Sequence, residues 1–419
     1  MEELQSPYIE FETGKETTGP RDVGVVFEYI PGYFPPVMGR DPHPEGNRYY
    51  SKKLRYEKDP NGGLSELRSI TIIGASGAMG SEIAKRILTE QPLPKCDKIQ
   101  LFGRPKDISQ GKDRNFYYAM IEKLRDGMGG VLPQIEFIDS YESVDGELLI
   151  MCAGKTISKE AEKAVDRTVL RHENMSIFKS CARGIRDNPF RSPQFVIVVS
   201  NPNELCTSVF SAYFKRVVAI GPVIDSMRFQ REIRDDLSLS ADIPVDVLAG
   251  GNHELKGMVL YKSMLRINCK SPSTQLVARI SPTSEEDPDV GMVYEKAYGM
   301  VKSGDKGVFD YINSHSIPIR LAIKPLIEYF CGGRADFPVG IAVISTIKTL
   351  QDSARTFITL TKKTRIGGDE VCIGIPLFVS RDGLEEIELD SVENFREYGD
   401  DEQLLIAAGM FRSKYLNQD

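Results

Sequence analysis

A side chain that exchanges a proton near neutral pH is most often an imidazole, and this chain offers four histidines. His43 sits in a Pro-rich stretch, His315 lies between serines where helix breaks, and His172 falls in a charge-crowded helical segment. His253 differs from these. It follows Gly250-Gly251-Asn252, directly after the apolar run Val245–Leu248, and so projects from a tight turn at the end of a strand. Upstream, Asp225-Ser226-Met227-Arg228 places a carboxylate and a guanidinium three residues apart, neighbours on one helix face. A buried carboxylate beside His253 would fix its tautomer and stabilise its charged form. Arg228 would then grip a substrate carboxylate through two parallel hydrogen bonds. The plainer reading is a structural histidine, a helix-start aspartate and an unrelated surface arginine; residue types alone leave both open.

These groups need elements to hold them, and the best-defined element is Ser69–Leu88. Ile70, Ile72 and Ile73 make a short β-branched run that predicts a buried strand. Gly74, Gly77 and Gly80 follow, and then Met79, Ile83, Ile87 and Leu88 recur at helical spacing. A strand that turns through glycines into a helix leaves backbone N–H groups at a positive helix end, where a phosphate binds without a charged side chain. Gly-x-x-Gly-x-x-Gly is a variant of the dinucleotide fingerprint, although glycine-rich turns also serve close packing.

Strand and helix go on alternating. Strands are expected at Lys98–Phe102, Ile135–Ile138, Leu148–Cys152, Phe195–Ser200 and Val217–Ile220, with helix at Phe116–Leu124 and Lys155–Lys179. Apolar strands in such an alternation predict a parallel sheet covered on both faces, with ligands at the carboxyl ends of its strands. Those ends carry Gly74, Gly103, Ala153 and Ser200. The candidate nucleotide contacts are therefore Gly74, Ser76, Gly77, Ala78, Met79, Gly80, Gly103, Arg104, Ala153, Gly154, Ser200 and Asn201.

The pattern changes after about residue 222. A helix over Asp225–Leu237 precedes Val245–Leu248, several helices fall between about 288 and 352, and strands are expected at Thr356–Leu360, Cys372–Val379 and Glu385–Leu389. Arg381-Asp382-Gly383 reads as a hairpin turn and Asp401–Leu416 as a closing helix. The expected organisation is an extension over 1–66, a nucleotide-binding α/β domain over 67–222 and an α+β domain over 223–419. The extension is rich in Pro, Gly, Tyr and charge, and its aromatics suggest docking on the main body rather than disorder.

Composition narrows the function classes. With 419 residues, 41% hydrophobic and 27% charged, the chain is ordinary for a globular protein of two to three domains. A net charge of −7 argues against a general nucleic-acid binder. No apolar run suits a membrane helix, and the acidic start Met-Glu-Glu-Leu-Gln-Ser fits neither a secretion signal nor a transit peptide. Seven scattered cysteines without a Cys-x-x-Cys pair suggest reduced thiols, no structural metal and a cytoplasmic setting.

The order of these motifs carries a family resemblance. The Gly74–Gly80 loop, Ala153-Gly154, Ser200-Asn201-Pro202, Ile224-Asp225-Ser226-Met227-Arg228-Phe229 and Gly251-Asn252-His253 resemble lactate and malate dehydrogenases from Ser69 onward. The Gly-Asn-His turn is most similar to malate enzymes of the cytosolic and chloroplast type, and Val371–Gly383 looks like the family's late hairpin. The resemblance implies a Rossmann-type domain, a substrate domain, and hydride transfer between a nicotinamide cofactor and a 2-hydroxy or 2-oxo acid, malate foremost. It implies that His253 is the acid/base, Asp225 its partner, Arg228 the carboxylate clamp and Asn201 a substrate and ribose contact. Arg167, placed by the downstream Asn174–Phe178, resembles a mobile-loop arginine that polarises the carbonyl. It also implies a homodimer or homotetramer, with Phe116–Leu124 near the dimer contact.

Two departures stand out. The segment between Gly154 and Arg167 runs longer than the family's loop, and Lys155, Lys159, Lys163, Arg167 and Arg171 recur at every fourth residue. On a helix this makes a basic stripe, read equally as a solvated ion-paired face or as a lid for an anionic substrate. The second departure is at the end of strand two, where NAD enzymes carry an acid for the ribose 2′-hydroxyl. Here Phe102-Gly103-Arg104-Pro105-Lys106 offers none and Arg104 could pair with a 2′-phosphate, so NADP is expected, with NAD the alternative. Other readings are a lactate or other 2-hydroxy acid dehydrogenase, an NAD-dependent glycosidase needing a Cys/His-bound metal, or a non-catalytic nucleotide-binding homologue.

Overall fold

The computed structural model describes residues 21–23, 54–57, 59–104, 114–128, 133–155, 171–188, 192–253, 257–268, 276–277, 280, 290–331, 333, 335–353, 356–389, 392 and 395–416. In chain order, the first strands are β1 (Arg21–Val23) and β2 (Leu54–Glu57). Six strands then build a parallel sheet: β3 (Ser69–Ile73), β4 (Lys98–Phe102), β5 (Gln134–Ile138), β6 (Leu148–Met151), β7 (Phe195–Val198) and β8 (Val217–Ala219). Their order across the sheet is β5-β4-β3-β6-β7-β8, so the order reverses between β3 and β6. That reversal opens a crevice at the carboxyl ends, where doubly wound sheets bind ligands. Every residue of β3, β6 and β7 is buried, as strands covered on both faces require.

Helices α1 (Ala78–Glu90), α2 (Arg114–Asp126), α3 (Arg171–Arg186) and α4 (Asn203–Ser211) accompany these strands. Helix α5 (Gly221–Asp236) follows β8 and starts earlier than its sequence periodicity suggests, because Pro222 fits the first helical turn. Asp225 thus lies inside the helix instead of at its start. Of the predicted strand Val245–Leu248 only β9 (Val245–Asp246) forms; a separate strand, β10 (Ala249–Gly251), follows it and pairs with β11 (Met258–Leu260). β9 pairs instead with β12 (Arg266–Ile267). Four helices follow: α6 (Val290–Ser303), α7 (Val308–Asn313), α8 (Ile317–Phe330) and α9 (Asp336–Gln351). The last elements are β13 (Thr356–Ile366), β14 (Asp369–Ser380), β15 (Gly383–Ile387) and α10 (Asp400–Tyr415).

β13 and β14 pair antiparallel over their full length, closed by Gly367 and Gly368 at φ 60° and 90°. A two-residue hairpin loop with positive φ at both positions selects glycine. The second hairpin turns at Arg381-Asp382, with Ser380 opposite Gly383, as the sequence suggests. β13 also bridges to β8 through Thr361 and Ala219, so one sheet runs from β5 through the parallel strands into β13, β14 and β15. One apolar core spans both parts, from Ile70 and Ile150 to Leu360 and Leu377. β2 adds to the edge of β15, and Asp59 accepts hydrogen bonds from Arg216 and from the Leu384 backbone, so the described end of the extension docks on the body. Among the described residues no helix is long and apolar enough to cross a membrane. His43, Lys159, Lys163 and Arg167 lie outside the described residues, and helix between Lys155 and Lys179 is described only from Arg171 onward.

Candidate active site

The turn from β3 into α1 is built for close approach. Gly74 has φ +84°, and a Cβ there would stand 2.8 Å from the Ala153 nitrogen. A Cβ on Gly80 would meet Gly74 O at 2.5 Å, so α1 sits hard against the turn. Gly77 caps α1 without a side-chain hydrogen bond, and the first turn holds no acid. The amides of Ala78, Met79 and Gly80 therefore meet no side-chain cap at a positive helix end, with Ser76 beside them. This cradle suits the pyrophosphate of a dinucleotide.

The neighbouring strand ends are tied together. Ser200 Oγ lies 2.7 Å from Ala153 O and 3.0 Å from Met151 O, joining the end of β7 to that of β6. Asn174, fully buried on α3, accepts the Lys155 N–H at 2.6 Å and donates to Asn201 O at 2.8 Å. A Cβ on Gly154 would touch the Asn174 amide at 3.5 Å. Asn174 thus ties the backbone of Lys155, next to Gly154, to that of Asn201. Sequence reasoning used it only to place Arg167.

Gly103 ends β4 and donates its N–H to Ile138 O. Arg104 beside it is exposed, donating from Nη2 to Tyr141 Oη at 2.6 Å and to Ser180 Oγ at 3.3 Å. Tyr141 stacks on Phe102 at 4.9 Å, and burial pushes its hydroxyl up to about 12, so it stays neutral and accepts. Burial likewise raises the Cys152 thiol at the end of β6, leaving it an inert apolar group.

Across the crevice, β10 delivers His253 and α5 delivers Asp225 and Arg228. His253 Nδ1 lies 2.6 Å from Asp225 Oδ2, with Asp225 only 1% exposed. The carboxylate only accepts, so Nδ1 carries the hydrogen and Nε2 is left free for chemistry. Arg228 Nη1 stands 3.4 Å from Asp225 Oδ1, placing Asp225 between imidazole and guanidinium. A buried carboxylate needs such partners, because desolvation alone would cost several kcal/mol.

Three residues not singled out from the sequence complete the frame. Glu204 of α4, 1% exposed, accepts the His253 backbone N–H at 2.6 Å. Asn203 Nδ2 donates to Asn201 Oδ1 at 2.6 Å, and Asn203 Oδ1 accepts the Gly221 N–H at 3.2 Å. A Cβ on Gly221 would meet His253 Cγ at 2.9 Å and Asn203 Oδ1 at 3.1 Å. The Asn201–Asn203–Gly221–His253 chain of contacts joins the nucleotide side of the crevice to the imidazole. Position next to Ser200-Asn201-Pro202 was the only sequence signal for Asn203 and Glu204. His172 is exposed on α3, and His315 bonds Tyr311 O through Nδ1 at 2.9 Å after α7, so neither reaches this group.

A 3-2-1-4-5-6 parallel sheet with an uncapped glycine turn defines a doubly wound α/β protein of the Rossmann type, and it carries a close Asp–His pair. By sequence the chain is similar to malate dehydrogenases, and its fold is that of the lactate and malate dehydrogenases. It is 25% identical over 336 residues to the malate dehydrogenase of Chlorobium phaeobacteroides strain BS1, covering 77% of this chain and 92% of that protein. It is 27% identical over 337 residues to the malate dehydrogenase of Geobacter sulfurreducens, covering 78% and 93%. The lactate dehydrogenase structure from Cryptosporidium parvum, complexed with lactic acid and nicotinamide adenine dinucleotide, superposes with a TM-score of 0.57. That match has 20% identity and covers 84% of this chain and 98% of that one. No family profile matches the chain.

Proposed function

We propose that this chain is a nicotinamide-dependent dehydrogenase interconverting 2-hydroxy and 2-oxo acids, with malate and oxaloacetate as the principal pair. The observation that carries this reading is the 2.6 Å contact between His253 Nδ1 and the buried Asp225 carboxylate, in a chain whose glycine turn fits a dinucleotide. When bound, the nicotinamide supplies the acceptor or donor of a hydride. His253 Nε2 takes the proton of the substrate hydroxyl in one direction and returns it to the carbonyl oxygen in the other. Asp225 holds the ring orientation and stabilises the imidazolium between those steps. Arg228 binds the carboxylate next to the reacting carbon, and Asn201, oriented by Asn203, supplies an amide to the substrate and the nicotinamide ribose. Arg167 remains the candidate for polarising the carbonyl. A lactate-type substrate is the second reading, supported by the lactate dehydrogenase likeness.

NADP is the proposed cofactor, since Gly103-Arg104 presents no carboxylate to a 2′-phosphate. A homodimer formed in the cytoplasm is proposed as well. Phe116 and Tyr118 stand 36% and 55% exposed on α2, and the described cysteines are free thiols. The test is a panel of 2-oxo acids with NADH and NADPH, run on the wild type and His253→Ala. Oxaloacetate reduction that falls at least 100-fold in the variant, with nucleotide affinity kept, is the expected result for a lost acid/base group. No turnover on any 2-oxo acid, or an equal loss of nucleotide affinity, would refute it.

A further inference from the structure

Tyr117 stands on α2, 2% exposed, stacked on Phe137 of β5 at 4.2 Å and edge-on to Phe116 at 5.5 Å. Its hydroxyl donates to Ser76 Oγ at 3.1 Å, inside the glycine turn. A Cβ built on Gly103 would lie 2.0 Å from that hydroxyl and 2.2 Å from Cζ. No side chain fits at position 103 while the phenol is there. Swinging Tyr117 aside would break its stack with Phe137 and its bond to Ser76, and would bring a large buried ring toward water.

The end of β4 lies beside that turn, where a bound dinucleotide brings the ribose of its adenosine half. A carboxylate at this strand end accepts hydrogen bonds from the free ribose hydroxyls and repels a phosphate on the 2′-oxygen. Gly103 can do neither, and the reason is steric: the space its side chain would need is filled from another helix. We propose that Tyr117 locks the dinucleotide preference at this strand end, by barring a carboxylate from position 103 and holding Ser76 in the phosphate turn, so that the preference shifts only when both residues change. The inference rests on the dehydrogenase reading above and deepens it. Tyr117 acts through Gly103 and Ser76, so it is a positioning residue, and its effect is read in the ratio of two affinities. A purely structural role would move both affinities together.

The experiment measures NADH and NADPH dissociation constants from the fluorescence of the reduced nicotinamide, together with melting temperatures. It compares the wild type, Gly103→Asp, Tyr117→Leu and Gly103→Asp/Tyr117→Leu. Gly103→Asp alone is expected to lower the melting temperature and weaken both nucleotides, because the new side chain meets the phenol. In the double variant the melting temperature recovers relative to Gly103→Asp. The affinity ratio moves toward NADH by about tenfold or more, the worth of one charge-assisted hydrogen bond. Should the double variant fail to fold, Gly103→Ala is compared with Gly103→Ala/Tyr117→Leu; the alanine is expected to destabilise only while Tyr117 is present. Gly103→Asp tolerated without loss of stability, a ratio unmoved in the double variant, or additive effects in the alanine pair would overturn the inference. A wild type that binds a nucleotide while the ratio stays fixed refutes this inference alone. A wild type that binds neither nucleotide refutes the dehydrogenase reading with it.

Discussion

Replacing Asp225 with asparagine removes a charge and keeps the shape, so it isolates what the carboxylate does. Oδ2 accepts from His253 Nδ1 at 2.6 Å, and Oδ1 faces Arg228 Nη1 at 3.4 Å. An amide can satisfy only one of these neighbours. With its oxygen toward His253, its NH2 group faces the guanidinium, donor against donor. With its oxygen toward Arg228, the NH2 group faces Nδ1, which must then accept, and the ring hydrogen moves to Nε2. The first arrangement weakens the imidazolium formed during the reaction; the second removes the base. A hydrogen bond to a charged group contributes about 1.5–3 kcal/mol against about 0.5–1.5 for a neutral one, and the site is buried, which favours the upper end. The difference, a loss of about 1–2 kcal/mol from the transition state, corresponds to roughly a 5- to 30-fold fall in kcat. The assay is oxaloacetate reduction followed by nicotinamide absorbance, with nucleotide affinity measured in parallel. Affinity should hold within about twofold, because Asp225 lies on α5 and the phosphate cradle on α1. A kcat within threefold of the wild type would refute the reasoning, and so would a parallel loss of nucleotide affinity.

Further expectations follow from other parts of the molecule. Gly74→Ala forces a side chain onto φ +84° and to within 2.8 Å of Ala153 N. It should cost about 1–3 kcal/mol in a urea melt and weaken nucleotide binding severalfold. Asn203→Val releases Asn201 and leaves the Gly221 N–H without its side-chain acceptor. A fall in kcat and a rise in substrate KM are expected, with a smaller loss of nucleotide affinity through the ribose contact of Asn201. Asp59 is buried, which raises a carboxyl pKa, but the Arg216 bond and the Asn61 and Leu384 amides outweigh this and hold it below 3.8. Its contribution is therefore complete above the unfolded carboxylate range and disappears as pH falls through the lower folded value. Asp59→Asn should melt earlier than the wild type at neutral pH, and the gap should narrow as the solution is acidified below about pH 4.

Much of this was legible in the residues. Strand–helix alternation gave the parallel sheet because strands buried on both faces are runs such as Leu148–Met151, and such runs are local. His253 and Asp225 were readable as a pair only through motif order; their contact spans 28 positions and depends on α5 starting at Gly221. The bridge from β8 to β13 joins Ala219 to Thr361 and leaves no periodic trace in the chain. Tyr117 was hidden for another reason: among Tyr117, Ile121 and Leu124 on α2 it looks like one more core residue. Asn203 carries no signal of its own, since an asparagine after a proline is common in turns.

The β13–β14 hairpin bonds to the strand before Gly221 and, through Gly374, to the strand before His253. Dividing the polypeptide near residue 222 would therefore leave each piece with a raw margin. The first would show the open side of β8, and the second that of β13, each a template for stray pairing and clumping. Each margin is also the other's natural mate, so two such pieces made together should zip along Ala219 and Thr361 and rebuild the imidazole beside the asparagine.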